Sequence, residues 1–286
     1  MRSIIALRLL LGMAAISAGP AFGQVSYVTS YNTDQIFRVE NGSSASFGTG
    51  LTAPTGLALD ASGNLYVADY AGSSEGIWKV TPDGTTSLFS VASRPFALAF
   101  DSLGNLYSTS QGGRIYKYST TGSSTLVAST RQNIAGGIAI DSADNIYIAN
   151  YSAGSIQTVS SNGTISDFVT GLGNPVDLVI SSNGNLFVSL TSIGTVLKIT
   201  PGGVVTTEVS GLSQPQGLDI DAFNNIYVSD SSGIIKRSPE GASSQIWSGS
   251  VNGLGLAVSA VPEPSTYALF GLGALVLVIA ARRRAF

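Results

Sequence analysis

Short runs of alternating apolar and polar residues recur along the middle of the chain, separated by turns rich in Gly, Asn, Asp and Ser. The segments Leu65-Tyr-Val-Ala-Asp and Gly76-Ile-Trp-Lys-Val are typical examples. Their β-branched and aromatic residues favour strands, and the turn residues between them favour tight reversals of the chain. The pattern therefore predicts an all-β domain made of many short antiparallel strands.

One segment of this pattern occurs five times. Pro54-Thr-Gly-Leu-Ala-Leu-Asp-Ala-Ser-Gly-Asn-Leu-Tyr-Val-Ala-Asp has counterparts that begin at Pro95, Gly136, Pro175 and Pro215. A turn asparagine marks the phase at steps of 41, 40, 40 and 40 residues, at Asn64, Asn105, Asn145, Asn185 and Asn225. A repeat of about 40 residues with four strands is one blade of a β-propeller.

The two ends of the repeated region complete each other. Residues 25–49 match a repeat that lacks its first strand, and Asn252-Gly-Leu-Gly-Leu-Ala-Val-Ser aligns with Gln216-Gly-Leu-Asp-Ile at the other end. A C-terminal strand that joins the first blade closes the ring and leaves no open sheet edge. Residues 24–260 are therefore predicted to form a six-bladed β-propeller of four-stranded blades, closed by N-terminal strands plus this C-terminal strand.

The first 23 residues have the features of a helical signal peptide. Arg2 and Arg8 accompany an apolar stretch from Ile4 to Ala18, and Ala21-Phe22-Gly23 places small residues at a cleavage site before Gln24. A transmembrane helix is the alternative, but the apolar run is short for a span. Residues 1–23 are therefore interpreted as a signal peptide for export.

The last 26 residues, 261–286, form a second segment that stands apart from the repeats. Three groups follow one another here: the motif Pro262, Glu263, Pro264; an apolar run over 267–281; and the basic residues Arg282, Arg283, Arg284. Fifteen helical residues reach about 22 Å, and the arginines mark the cytoplasmic side of a predicted transmembrane helix.

This tail resembles the PEP-CTERM sorting signal of Gram-negative bacteria. In proteins with that signal, the membrane transpeptidase exosortase recognises Pro-Glu-Pro and removes the helix. The resemblance implies exosortase as a processing partner and the C-terminal helix as a membrane anchor before processing. It also implies a location at the cell envelope, at the cell surface or in the extracellular matrix.

Composition excludes several kinds of chemistry. The chain has no Cys and no His, which removes disulfides, thiolate and imidazole metal sites, and imidazole-based proton transfer. Of its 14 Lys and Arg, 9 lie in residues 24–260 against 16 of the 17 Asp and Glu, so this region has a net charge of −7. Such a charge repels nucleic acid. Neutral glycans, cations or proteins are the expected partners.

The repeat unit resembles the NHL repeat and, more broadly, the six-bladed propellers that include gluconolactonase-like and regucalcin-like enzymes. In the lactonase-like enzymes, a divalent metal is held at the channel mouth with an Asp inside a Pro-Asp-Gly loop. This chain has Pro54-Thr-Gly and Pro215-Gln-Gly instead, and Asp177 lies one position late. No catalytic residue, metal site or cofactor is therefore expected, although a divalent cation is what the resemblance would imply.

The repeated polar residues have a structural interpretation. Asp60, Asp101, Asp141 and Asp221 precede tight turns and are expected to form Asx turns rather than calcium sites. Aromatic residues that recur in the second strand, such as Tyr66 and Tyr227, are expected to pack between blades. Basic residues that recur in the third strand, such as Lys79, are expected to be solvated.

Function in a propeller is expected where the repeat is broken, at the loops around one mouth of the channel. Tyrosine faces beside amide and carboxylate groups suit a saccharide or a peptide, although the same tyrosines also fit plain surface residues. The candidate ligand-binding residues on this face are Tyr31, Asp69, Tyr70, Phe96, Asn150, Tyr151, Asp177, Gln216, Asp230 and Asn252.

Three functions fit the sequence. The first is an exported, exosortase-processed surface or exopolysaccharide-matrix protein whose propeller is a non-catalytic binding module for a glycan or a protein. The second is a metal-dependent hydrolase of the lactonase type. The third is a purely structural matrix protein with Ser-rich outer strands.

Overall fold

The computed structural model describes residues 24–72, 75–130, 136–251 and 253–259. The predicted signal peptide, the Pro262-Glu263-Pro264 motif, the apolar run and Arg282 to Arg284 therefore lie outside the described residues. All the described residues belong to one compact unit by their backbone contacts. Within the described ranges, no helix has the length and apolar character that crossing a bilayer requires.

The described residues form six antiparallel sheets of four strands each, which are the six predicted blades. Blade 1 contains, from the inside outward, β24 (Leu256–Val258), β1 (Ser26–Ser30), β2 (Gln35–Glu40) and β3 (Ser43–Ser46). Blades 2 and 3 follow, with strands β4 (Pro54–Leu59), β5 (Leu65–Asp69), β6 (Gly76–Val80), β7 (Thr86–Ser90), β8 (Pro95–Phe100), β9 (Leu106–Ser110), β10 (Arg114–Tyr118) and β11 (Ser124–Ser129).

Blades 4 to 6 repeat the same order of strands. Their strands are β12 (Ile138–Ile140), β13 (Ile146–Asn150), β14 (Ser155–Val159), β15 (Ile165–Val169), β16 (Pro175–Ile180), β17 (Leu186–Leu190), β18 (Thr195–Ile199), β19 (Val205–Val209), β20 (Leu218–Ile220), β21 (Ile226–Asp230), β22 (Gly233–Arg237) and β23 (Ser243–Ser248). Among the described residues, single 3-10 turns at Tyr31–Thr33 and Thr191–Ile193 follow β1 and β17.

The repeated aspartates form the turns between the first and second strands of their blades, as predicted. The carboxylate of Asp60 accepts the backbone N–H of Ser62 at 2.9 Å and that of Asn64 at 2.9 Å, and it also accepts the Asn64 side-chain amide at 2.7 Å. Asp101, Asp141 and Asp221 make the corresponding bonds to the asparagines of their own repeats. In blade 5, Ser181 takes this place and bonds to Asn183 and Asn185.

The second-strand aromatic residues pack between blades, which confirms their predicted role. Tyr66 of blade 2 lies 5.3 Å from Phe100 of blade 3 between ring centroids, edge to face. Tyr227 of blade 6 is fully buried among Val28 and Val39 of blade 1. The basic residues of the third strand are not simply solvated, because the Lys79, Lys117 and Lys236 ammonium groups lie over the rings of Tyr66, Tyr107 and Tyr227.

The C-terminal strand closes the ring, but in a register that differs from the predicted one. The predicted alignment placed Leu254 at the position of Leu218. In the structure Leu256 takes that position, because it pairs with Val28 of blade 1 as Leu218 pairs with Val228 of blade 6. The closing strand is therefore shifted by two residues. Because side chains alternate with a period of two, this shift keeps the same residues facing the core. Leu254, rather than Asn252, takes the position that corresponds to Gln216.

Truncation tests the importance of this strand. A chain that ends at residue 251 loses Leu256 and Val258 from the core and exposes the edge of β1. We expect its thermal unfolding midpoint to fall by at least roughly 10 °C relative to a chain that ends at residue 260. Circular dichroism melts of the two chains measure this difference, and equal midpoints would show that β24 does not close the ring.

Candidate functional site

The candidate site lies at the mouth where the second strands end and the first strands begin. In blades 2, 3 and 5 the first strand has a bulge directly after its proline, as between Pro54 and Leu57. A bulge leaves a residue unpaired and changes the direction of its side chain. Thr55, Phe96 and Val176 occupy these bulges. The side chain at the bulge can therefore differ from blade to blade while the strands stay paired.

The candidate acidic and amide residues at the ends of the second strands are buried and hold the loops of the mouth. The Asp69 carboxylate is fully buried and accepts the backbone N–H groups of Thr52 at 3.0 Å and Ala53 at 2.7 Å. The side-chain oxygen of Asn150 accepts the N–H of Ala153 at 3.0 Å. These bonds hold one loop of blade 2 and one loop of blade 4 in place.

Asp230 occupies the equivalent position in blade 6. One of its carboxylate oxygens accepts the N–H of Ser213 at 3.1 Å, and the other accepts the N–H of Ser232 at 2.8 Å. Asp230 is 3% exposed. The carboxylate oxygens of Asp69 and Asp230 therefore accept hydrogen bonds from the backbone of the loops.

The structure brings together three of the candidate aromatic residues, from three neighbouring blades. The ring centroids of Tyr31 and Tyr70 are 6.4 Å apart, and those of Tyr70 and Phe96 are 6.3 Å apart, both edge to face. Tyr31 is 39% exposed, while Tyr70 and Phe96 are half-buried. This row of rings on blades 1 to 3 is called the aromatic rim below.

The other candidates at the mouth lie apart from the aromatic rim. Tyr151, on blade 4, is 44% exposed, and its backbone oxygen accepts the side-chain amide of Asn174 at 3.1 Å. Gln216, on blade 6, is half-buried, and its backbone N–H donates to the backbone carbonyl oxygen of Ser229 at 2.9 Å. Asn252 lies outside the described residues.

Sequence reasoning missed Arg94, which completes the aromatic rim. Its guanidinium carbon lies 6.0 Å from the centroid of the Tyr70 ring, and its Nη1 donates to the Gln111 side-chain oxygen at 2.5 Å. The guanidinium is thus fixed over an aromatic face. The available signal was a departure from the repeat, because the residue before the loop proline is Ala53, Asn174 or Gln214 in three other blades.

Two carboxylates lie deeper, where the innermost strands approach one another. Asp177 on β16 accepts the N–H of Leu178 at 2.9 Å and, from the next blade, the N–H of Leu218 at 2.8 Å. Asp219 on β20 accepts the N–H of Ile220 at 2.8 Å and that of Val258 at 2.6 Å. Each carboxylate therefore joins the edge of its own innermost strand to the edge of the next one.

Asp219 was missed from the sequence, although its position gives a signal. The equivalent residue is Ala or Val in the other five inner strands: Ala58, Ala99, Ala139, Val179 and Ala257. The innermost strands also lie close together two residues earlier in the repeat, where a Cβ on Gly137 would lie 2.1 Å from an Asp177 carboxylate oxygen.

Burial raises the pKa of both channel carboxyls. Loss of hydration is the main cause and brings the pKa of Asp177 to about 7 and the pKa of Asp219 to about 7, against the lowering effect of the backbone N–H bonds. The negative charge of Asp219 adds to the rise at Asp177, and that of Asp221 adds to the rise at Asp219. In the described parts of the chain, no group of three or more acidic residues is placed to hold a metal ion.

The raised pKa values predict a stability that increases on mild acidification. A carboxyl with a raised pKa binds more protons in the folded chain than in the unfolded one between about pH 4 and pH 7. The free energy of unfolding therefore falls as pH rises through this window. The chain has no His to mask the effect. We expect the thermal unfolding midpoint to be roughly 5 °C higher at pH 5 than at pH 8.

The variant that lacks both groups is the control. Asp177→Asn with Asp219→Asn removes the two titrating carboxyls, so the midpoint becomes nearly independent of pH between 5 and 8, whatever its absolute value. Melting curves over this range, followed by circular dichroism, measure both slopes. A wild-type midpoint that rises with pH, or a double variant with an unchanged slope, contradicts the assignment.

Comparison with known proteins identifies one family motif. The PEP-CTERM protein-sorting motif matches residues 260–284, which include Pro262, Glu263, Pro264 and the three arginines. The motif implies processing by exosortase and export to the cell envelope or surface. No curated protein matches this chain.

Solved structures are similar in fold only. A virginiamycin B lyase from Staphylococcus aureus is 13% identical, with a TM-score of 0.61 over 78% of this chain and 83% of that one. A chain of a nidogen/laminin complex is 17% identical, with a TM-score of 0.67 over 82% and 98%. A putative gluconolactonase is 16% identical, with a TM-score of 0.59 over 71% and 80%. The chain is therefore a six-bladed β-propeller that carries a C-terminal PEP-CTERM sorting motif.

Proposed function

We propose that this protein is an exported surface or matrix protein, processed by exosortase at its C-terminal tail, whose propeller is a non-catalytic binding module. The sorting motif at residues 260–284 supports the first part of the proposal. The aromatic rim of Tyr31, Tyr70 and Phe96 supports the second, because it is a partly exposed cluster of rings at the mouth of the channel.

The observation that carries the binding proposal is the contrast between the two kinds of residue at the mouth. The carboxylates of Asp69 and Asp230 are buried and accept backbone N–H bonds, while the aromatic rim has exposed side-chain surface. A metal-dependent lactonase needs several carboxylate oxygens free to ligate a divalent cation. Rings that stack on a ligand need only the exposed surface that the aromatic rim offers.

The solved structures fit a binding module and an enzyme equally well. They include a lyase, a putative gluconolactonase and a complex between two proteins. One propeller fold supports many unrelated functions. The proposal therefore depends on the residues of this chain and on its sorting motif.

Substitution of the motif tests export and processing. Replacement of Glu263 by Ala in the native host is expected to keep the tail on the protein and hold it in the membrane fraction, because the Pro-Glu-Pro motif is disrupted. The wild-type protein is expected in the outer envelope or the medium with its C-terminal tail removed. Intact-mass measurement and fractionation with an antibody against the propeller follow both properties.

The matched control is Glu240→Ala, which removes a carboxylate from an exposed turn of blade 6. This control is expected to be processed and located like the wild type. Identical masses and locations for Glu263→Ala and the wild type would overturn the proposed export route.

A further inference from the structure

Arg94 is held in an unusual backbone conformation beside the aromatic rim. Its φ of 46° lies in the left-handed region, which non-glycine residues seldom adopt, and it precedes Pro95. The backbone N–H of Arg94 donates to the Glu75 carboxylate at 2.7 Å, and its backbone oxygen accepts the N–H of Gln111 at 3.1 Å. Backbone, side chain and neighbours together fix the position of the guanidinium.

The equivalent residue of blade 6 shows that the left-handed backbone does not depend on the arginine side chain. Gln214 also precedes a proline and has a φ of 58°. The left-handed backbone is therefore a feature that the repeat tolerates, and the guanidinium is what distinguishes blade 3. Replacement of Arg94 by Gln puts into blade 3 a residue that the same conformation already accepts in blade 6.

Arg94 retains hydrogen-bond donors for a ligand. A guanidinium has five N–H donors, and among the residues that the structure describes the side chain of Arg94 makes one hydrogen bond, to Gln111. Four other basic residues of the propeller lie in ion pairs with carboxylates: Arg38, Lys117, Lys236 and Arg237. Arg94 is exposed and lies in an otherwise acidic domain. The mouth therefore has a cation over Tyr70, the middle ring of the aromatic rim.

We infer that the aromatic rim and Arg94 bind a saccharide chain that carries carboxylate groups, with the guanidinium on the carboxylate and the rings of Tyr31 and Tyr70 against the sugar faces. The planar guanidinium matches a carboxylate through two parallel N–H bonds. Aromatic faces provide the apolar contact for the C–H surface of a sugar. This inference rests on the proposed binding function and names its ligand class.

An acidic peptide is the competing ligand, and the geometry favours it less. A peptide commonly binds by adding a strand to a free sheet edge or by placing side chains in an apolar groove. The aromatic rim is built from the turns after β1 and β5 and the bulge of β8, so it presents turns instead of a sheet edge. A row of half-exposed rings with one cation suits a flat, hydroxylated chain better.

Oligogalacturonate and its methyl ester are the probes, because they share the sugar and differ in the charge. Isothermal titration of the protein purified from its host is expected to show binding of oligogalacturonate, with the methyl ester about 10-fold weaker, as expected for loss of a charge-assisted contact. Arg94→Gln is expected to weaken oligogalacturonate binding by about 10-fold and leave the ester unchanged. Tyr70→Ser, which introduces the residue that blade 6 has at Ser231, is expected to weaken both.

Phe223→Ser is the control for loss of an exposed aromatic ring. Phe223 is 64% exposed in the turn between β20 and β21, at the opposite end of its blade, and its substitution is expected to leave both affinities unchanged. Equal thermal unfolding midpoints for Arg94→Gln and the wild type show that the backbone of the site is retained.

Three results of these titrations would overturn the inference. No binding of oligogalacturonate, or equal binding by wild type and Arg94→Gln, removes the carboxylate role of Arg94. Polyglutamate that binds at least as tightly as oligogalacturonate would assign the rim to an acidic peptide. The export test with Glu263→Ala is independent of these titrations, so a failure of the ligand class and a failure of the proposed export route are told apart.

Discussion

Backbone pairing between the two ends of the propeller is the interaction on which the rest of the structure depends. Three residues, Leu256 to Val258, pair with β1 and supply the innermost strand of blade 1. Without them, blade 1 would have three strands and the edge of β1 would face the channel. Every blade packs on two neighbours, so an opening at one blade would weaken the interfaces of the whole ring.

The channel carboxylates belong to the same closure. The innermost strand of a blade has no further strand to pair with, and its edge N–H groups need acceptors. Asp177 joins blade 5 to blade 6, and Asp219 joins blade 6 to the Val258 N–H of the closing strand. These two bonds span the part of the ring where the chain ends meet. The burial that places the carboxylates there also raises their pKa values to about 7.

Much of the fold could be predicted because the same strand and turn pattern occurs five times in the sequence. The 40-residue phase, the aspartate turns and the interblade aromatic residues follow from local patterns. The predicted register of β24 differs by two residues from the observed one. A shift of two preserves the alternation of side chains between the two faces of the strand, so the sequence pattern does not distinguish the two registers. The sequence shows that Tyr31 and Tyr70 hold equivalent positions in neighbouring repeats. It does not show that their rings are in contact, which the structure does.

The site was less predictable because its residues depend on the loops. Asp69, Asn150 and Asp230 were proposed for the mouth from their positions, and only the structure shows that their side chains serve the loop backbone. Arg94 and Asp219 were visible as departures from the repeat, but neither matches a motif. Position in the repeat thus identifies the face of the propeller, while the bonds of each side chain decide which residues are available to a ligand.

Hydrogen–deuterium exchange of the exported protein, with and without the carbohydrate fraction extracted from the host's matrix, is the most direct test of a propeller that binds through its aromatic rim. Ligand contact slows exchange of the backbone it covers. The account predicts protection in the loops that carry Tyr31, Tyr70 and Arg94, and none in the turns at the opposite end of the blades. Protection confined to blades 4 to 6, or no protection at all, would contradict it.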